Sequence, residues 1–182
     1  KIGFIDNKKI LNLVKNNFSK IIKRDFTFLA KIISLTLKAK IKFFRNDIYE
    51  KSTRLKLNFG HTFAHSIEMS IKSKDDELLR HGEAVGLGML CELYYHDGFS
   101  KKYQHLKKVL KKFNLPIQLN KFVKKEKKDF IKNQIYKFLF LDKKKITIYP
   151  RFIQINSYGN AVIKEMKNNA KILKTIEEVL FK

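Results

Sequence analysis

Cysteine is nearly missing from this 182-residue sequence, and the single one, Cys91, excludes both an internal disulfide framework and a Cys-rich structural zinc knuckle. One free thiol fits a reducing cytoplasm. Tryptophan is absent, and there are two prolines and seven glycines. Arginine is scarce: only Arg24, Arg45, Arg54, Arg80 and Arg151 accompany a large excess of lysine, which runs along the whole chain instead of forming one stripe. Side chains that read base edges lean on arginine, so a formal charge of +23 does not by itself make a specific nucleic-acid binder. A basic nucleic-acid-binding domain is a reading supported by charge alone. Heavy use of Lys, Ile, Asn and Phe is also what codons rich in A and T produce. No apolar run approaches the roughly 18 residues of a membrane span, and the start carries no signal-peptide apolar segment followed by a small-residue cleavage site. The expectation is a cytoplasmic protein with no membrane partner.

What is present is enough apolar material, 44% of residues, to bury the core of one ordinary domain. The opening, Lys1-Ile2-Gly3-Phe4-Ile5-Asp6, contains no Met and runs straight into a helical pattern, which reads as a cut in a longer chain. Asp6 is expected to cap a helix carrying Ile10, Leu11, Leu13 and Val14. A second helix, over about 26–44, spaces Leu29, Ile32, Ile33, Thr36, Leu37 and Lys40 three and four apart as an apolar stripe that ends on a lysine. A lysine in that position ordinarily reaches out to solvent.

From about 54 to 71 the chain can form a helix interrupted near its start by Asn58-Phe59-Gly60, and another helix is expected over about 82–95, ending at Asp97-Gly98. Helices follow at about 101–113, 124–140 and 170–181, with alternating, strand-like residues at about 146–155 and 161–164. The fold class is therefore mainly α, one helical domain over 1–182, with at most a small β element after Lys145.

The densest polar chemistry lies between Arg54 and Glu83, where three of the five histidines fall. His61 and His65 are four apart, so on a helix they share a face and could reach one divalent metal. His81, at the head of the next helix, can join them. A carboxylate commonly completes such a site, and spacing alone does not choose between Glu68 and Glu83.

The segment Arg54-x-x-x-Asn58-Phe59-Gly60-His61-Thr62-Phe63-x-His65-x-x-Glu68, followed by His81-Gly82-Glu83-Ala84-Val85-x-x-Gly88-Met89, resembles the signature of 3-dehydroquinate synthases. Upstream, Lys1, Gly3, Ile5, Asp6, Lys40, Asp47 and Glu50 recur in order, and downstream so do Asp142-Lys143-Lys144. The resemblance implies the helical C-terminal domain of that fold, without the N-terminal α/β domain that binds NAD. No glycine-rich strand-turn-helix fingerprint for a dinucleotide occurs in the sequence.

The same resemblance implies that His61 and His81 bind zinc, or a similar divalent ion such as cobalt, while His65 contacts substrate. The family's ligand glutamate would lie just before Lys1. Lys1, Lys40, Arg54, Asn58, His65 and Lys143 match positions that hold the phosphate, carboxylate and hydroxyls of a sugar-phosphate substrate, and Glu50 matches a carboxylate that orients neighbouring basic groups. The implied reaction converts 3-deoxy-D-arabino-heptulosonate 7-phosphate to 3-dehydroquinate with NAD and the metal, and the whole enzyme is implied to be a homodimer. A related sugar-phosphate cyclase of the 2-deoxy-scyllo-inosose synthase type is the nearest alternative. Ala64 and Ser66 depart from the family's usual glycine and alanine without removing a functional side chain.

Overall fold

A computed structural model describes residues 1–71, 79–141 and 148–182 of the chain. Among them the architecture is mainly helical: α1 (Ile2–Ile5), α2 (Lys8–Asn16), α3 (Phe18–Ile22), α4 (Phe26–Asn46), α5 (His61–Ile71), α6 (His81–Asp97), α7 (Lys101–Lys112), α8 (Lys128–Phe140) and α9 (Asn169–Thr175). The strands β1 (Arg151–Ser157) and β2 (Asn160–Glu165) form a two-stranded sheet. Their two-residue connection, Tyr158-Gly159, makes the pair a hairpin. Among the described residues no helix is long and apolar enough to cross a membrane.

Chain contacts divide the molecule into two compact units, the first comprising Lys1–Asn58 with Ile155–Ile163 and the second Phe59–Gln154 with Lys164–Lys182. In the first unit the short α1 is buried along its whole length, and Gly3 lets it lie close on α2, because a Cβ there would sit 2.7 Å from Leu11 Cβ. Gly159, at φ +86°, donates its N–H to Phe4 O at 2.8 Å, which ties the hairpin turn to α1. Asp6 was expected to cap α2, but Asn7 does so, its side chain accepting from Lys9 N–H. The extra helix α1 takes Asp6 as the residue that caps its C-terminal end, and the Asp6 carboxylate meets Lys42 Nζ at 3.2 Å instead.

α4 forms as expected, with Asp25 accepting from Phe28 N–H at 2.8 Å at its N-terminus. Its inward face differs. Phe28, Ala39 and Phe43 are buried, with Ile32, Leu35 and Thr36 half-buried between them, whereas Ile33, Leu37 and Lys40 of the expected stripe are exposed. The helix is apolar on more than one side, so periodicity alone leaves its orientation open by about one position, and the two phenylalanines take the core.

The second unit packs α5 against α6 and α8 around Phe59, Phe63, Ile67, Leu87, Leu90, Leu93 and Ile135, each 1% exposed or less. α6 is buried on nearly every side, from Ala84 through Tyr95, with Val85 alone partly open. The close approach rests on glycine: a Cβ on Gly88 would fall 1.9 Å from Gly60 O. The last helix continues past α9 as a π-helical turn, Ile176–Phe181. The strand-like stretch expected from 146 begins as a strand only at Arg151; residues 146 and 147 lie outside the described residues.

Candidate functional site

Two clusters of the expected side chains form, one in each unit. In the first unit, Asp47 ends α4 and folds the chain back on its own carboxylate, which accepts from Lys51 N–H at 2.9 Å, Ser52 N–H at 2.7 Å and Arg54 N–H at 3.0 Å. Burial pushes this carboxyl up, but the three backbone donors outweigh it and hold the group below its ordinary value. Glu50 sits in the left-handed backbone region at φ +55°, a conformation that costs a non-glycine residue energy and needs surrounding contacts to hold it. Two such contacts come from Asn58 and Arg54. Asn58 Nδ2 donates to Glu50 Oε1 at 2.8 Å, and Arg54 Nη2 lies 3.5 Å from Glu50 Oε2.

The Arg54 guanidinium is fixed on two further sides, donating to Ile48 O at 2.6 Å and lying over the Phe44 ring at 4.0 Å. Its remaining donors form a fork suited to a carboxylate or phosphate. The structure thus brings Glu50, Arg54 and Asn58 together within the 3₁₀ segment Thr53–Asn58 and the turn before it. Lys40 stands exposed on α4, and Lys1 is exposed at the start of α1. Lys143 lies outside the described residues.

In the second unit the three histidines converge. His61 opens α5, His65 follows one turn later on the same face, and His81 opens α6. Ring centroids are 5.4 Å apart for His61 and His81, 5.6 Å for His61 and His65, and 6.2 Å for His65 and His81. Two imidazoles bound to one tetrahedral zinc, with bonds of about 2.0–2.1 Å, place their centroids about 5 Å apart. The His61–His81 spacing therefore fits a shared ion, and so does the slightly longer His61–His65 spacing.

What separates the two pairs is the contact behind His81. Its Nδ1 lies 2.9 Å from Glu68 Oε1, and a carboxylate on one ring nitrogen fixes the ring and leaves the other nitrogen for a metal. Glu68 thus backs a histidine. Glu83 has a different occupation: its Oε2 accepts from Arg80 N–H at 3.0 Å and closes the first turn of α6 around His81. Among the described residues no three His, Cys, Asp or Glu side chains are arranged to hold a metal by themselves. The residues present fit part of a metal site, in which two imidazoles would be donors and at least one further donor would be needed.

The sequence reading missed Glu92. This carboxylate is fully buried on α6, accepting from Gly60 N–H at 2.9 Å and from Ile153 N–H at 2.8 Å. The signal available was an acidic residue inside the apolar run Leu90-Cys91-Glu92-Leu93-Tyr94, one helical turn after Gly88. Beside it, burial and then the Glu92 charge push the Cys91 thiol well above its ordinary range, so it is an inert core residue.

The family described as 3-dehydroquinate synthase C-terminal matches residues 1–145. A 3-dehydroquinate synthase of Chlorobaculum tepidum is 28% identical over 186 residues, which cover 99% of this chain and 49% of the relative. The 3-dehydroquinate synthase of Campylobacter jejuni subsp. jejuni is 34% identical over 180 residues, covering 96% and 45%. The chain spans about half the length of the curated relatives it matches.

Among solved structures, the 2-epi-5-epi-valiolone synthase ValA of Streptomyces hygroscopicus subsp. jinggangensis, with NAD+ and Zn2+ bound, superposes with a TM-score of 0.72 at 15% identity, covering 96% of this chain and 47% of that one. A 2-deoxy-scyllo-inosose synthase complexed with carbaglucose-6-phosphate, NAD+ and Co2+ gives 0.60 at 21%, covering 84% and 41%. At these identities the two structures establish the shared fold.

Proposed function

This chain belongs to the 3-dehydroquinate synthase C-terminal family, and from that premise we propose that it serves the conversion of 3-deoxy-D-arabino-heptulosonate 7-phosphate to 3-dehydroquinate and phosphate. That reaction is a carbon–oxygen lyase step of the shikimate route to aromatic amino acids and chorismate, carried out in the cytoplasm. The observation that carries the reading is the His61–His81 pair, 5.4 Å apart with Glu68 behind His81. His61 and His81 would hold a divalent metal such as zinc or cobalt, completed by a donor outside this chain. When bound, the metal acts as a Lewis acid on the hydroxyl to be oxidised. The described residues form no glycine-rich strand-turn-helix, so NAD binding is assigned to the part of the synthase that the longer relatives carry before this region.

The chain's own residues then bind and orient. Arg54 offers a bidentate fork, preset by Ile48 O, Glu50 and Phe44, to an anionic group of the sugar phosphate. Glu50 holds Arg54 and Asn58 in register. His65, beside the metal pair on the same helix face, is assigned to a substrate hydroxyl. Lys1, Lys40 and Lys143 are assigned to the phosphate and carboxylate charges. Fixing a polyanion in one pose removes the orientational freedom that would otherwise oppose ring opening and closure. By itself the chain should not turn over, and the working enzyme is expected to be a homodimer that includes the preceding half.

The test is reconstitution with a separately expressed NAD-binding half of a 3-dehydroquinate synthase, offering the heptulosonate phosphate and glucose 6-phosphate in parallel. Phosphate release from the first alone supports the proposal. Turnover of glucose 6-phosphate instead would make the chain part of a related cyclase of the 2-deoxy-scyllo-inosose synthase type.

A further inference from the structure

We propose that Glu92 is a positioning residue for the histidine pair, setting the spacing of His61 and His81 through the backbone of Gly60. The inference rests on the metal reading above for its purpose, but its geometry stands independently. α6 begins with the His81 ring and, eleven residues later, presents the Glu92 carboxylate to Gly60, the residue immediately before His61. One carboxylate oxygen takes the Gly60 N–H at 2.9 Å, and the other takes the Ile153 N–H of β1 at 2.8 Å. The group is 0% exposed, so neither contact is diluted by water.

The same face of α6 meets Gly60 a second time. Gly88, one turn before Glu92, lies so close that a Cβ on it would come within 1.9 Å of Gly60 O. Gly60 itself has φ +86°, and a Cβ there would meet Met89 Cγ at 2.6 Å and Val85 O at 2.7 Å. Gly60 is thereby held by its N–H from Glu92 and by contact at its carbonyl from Gly88. Both grips come from the helix that carries His81. Gly60 O in turn accepts from Ala64 N–H at 3.0 Å, in the first turn of the helix that carries His61 and His65. Shifting this peptide moves the His61 ring relative to the His81 ring.

A buried carboxylate costs more to desolvate than an apolar side chain of the same size, so its place in an otherwise apolar helix calls for a geometric role. Anchoring two backbone donors, one of them 61 residues away in sequence from Glu92 at Ile153 and the other in the turn that leads into His61, is such a role. Residues that orient metal-binding histidines commonly change metal affinity by about 10–100-fold when replaced.

The experiment uses this chain combined with the separately expressed preceding half of a 3-dehydroquinate synthase, with Zn2+ and no other ligand. Glu92→Leu removes both acceptors, and Glu92→Gln keeps the shape while losing one of them. Leu90→Ala, in the same buried helix and touching neither Gly60 nor the histidines by hydrogen bond, is the stability control. Zinc affinity is measured by calorimetric titration, and ring-proton NOEs between His61 and His81 are recorded on the metal-free chain.

The expected result is about a tenfold or greater loss of affinity in the Glu92 variants and weakened His61–His81 NOEs, with both readouts preserved in Leu90→Ala despite a lower melting temperature. If Glu92→Leu does not fold, Glu92→Gln carries the test. Unchanged affinity and NOEs in Glu92→Gln, or equal losses in Leu90→Ala, overturn the proposal. If the unsubstituted protein combined with the preceding half takes up no zinc, the metal reading falls, and the NOE comparison still decides whether Glu92 sets the spacing of the rings.

Discussion

The two longest helices among the described residues, α4 and α6, are built from opposite materials. α6 is buried along nearly its whole length, from Ala84 to Tyr95, and uses Gly86 and Gly88 to let neighbouring elements approach. α4 is 21 residues long and buries only Phe28, Ala39 and Phe43. It exposes Phe26, Ile33, Leu37, Ile41 and Phe44 by between 42% and 89%, and all its charged residues are basic. His81 and Glu92 therefore belong to an element buried along nearly its whole length, and His61 opens the helix that packs against it. Lys40 and Arg54, by contrast, lie on or just after a helix whose outer side is open. Metal geometry demands placement within tenths of an ångström, whereas long cationic side chains reach an anion from several backbone positions, so the division matches what each group would have to do under the proposed function.

The sharpest way to break this contrast is Gly88→Ala. In an ordinary helix that change is favourable by nearly 1 kcal/mol, but here the added carbon meets a backbone carbonyl that cannot rotate away. Clash should win, with a loss of about 3 kcal/mol or more in urea-induced unfolding. A neutral result would mean that α6 packs less closely on the Gly60 turn than this contact requires.

Next in size is Leu87→Ala, a fully buried side chain, for which a loss of about 2–5 kcal/mol is expected in the same assay. The matching change on α4, Leu37→Gln, should stay within about 0.5 kcal/mol, because that side chain is already 51% exposed. A loss above about 1 kcal/mol at Leu37 would show that this face is covered in solution.

A subtler effect belongs to Asp47. Its carboxyl is held below the ordinary value, so the stability it contributes is present above the unfolded pKa of about 3.9 and is lost as pH falls through the lower folded value. The amide signals of Lys51, Ser52 and Arg54 should therefore hold steady at neutral pH and move together only under strongly acidic conditions. Asp47→Asn should let the same three signals broaden at pH 7 and loosen the Glu50–Arg54–Asn58 cluster.

Much of this was legible in the sequence. The helices around the histidines, the break at Asn58-Phe59-Gly60 and the late hairpin follow from apolar spacing and glycine placement, and the convergence of His61, His65 and His81 follows from helix geometry plus the match to a family signature. The rest depended on tertiary choices that one-dimensional periodicity does not encode. α4 turned its Phe28–Phe43 side inward because both of its sides are apolar. Asp6 gave up its capping role because α1 forms ahead of it. Glu92 was overlooked because an acidic residue in a helix reads as a solvent-facing charge until its backbone partners, 32 and 61 residues away, are known.

The central claim, that His61 and His81 are this chain's metal donors while His65 serves the substrate, is tested most directly by zinc uptake in equilibrium dialysis of His61→Ala, His65→Ala and His81→Ala beside the unsubstituted chain, each combined with the separately expressed preceding half of a 3-dehydroquinate synthase. The expected result is that His61→Ala and His81→Ala lose zinc and His65→Ala retains it. Should His65→Ala lose zinc while His81→Ala keeps it, the helix-face pair His61 and His65 would be the donors, and the assignment of His81 to the metal would be contradicted.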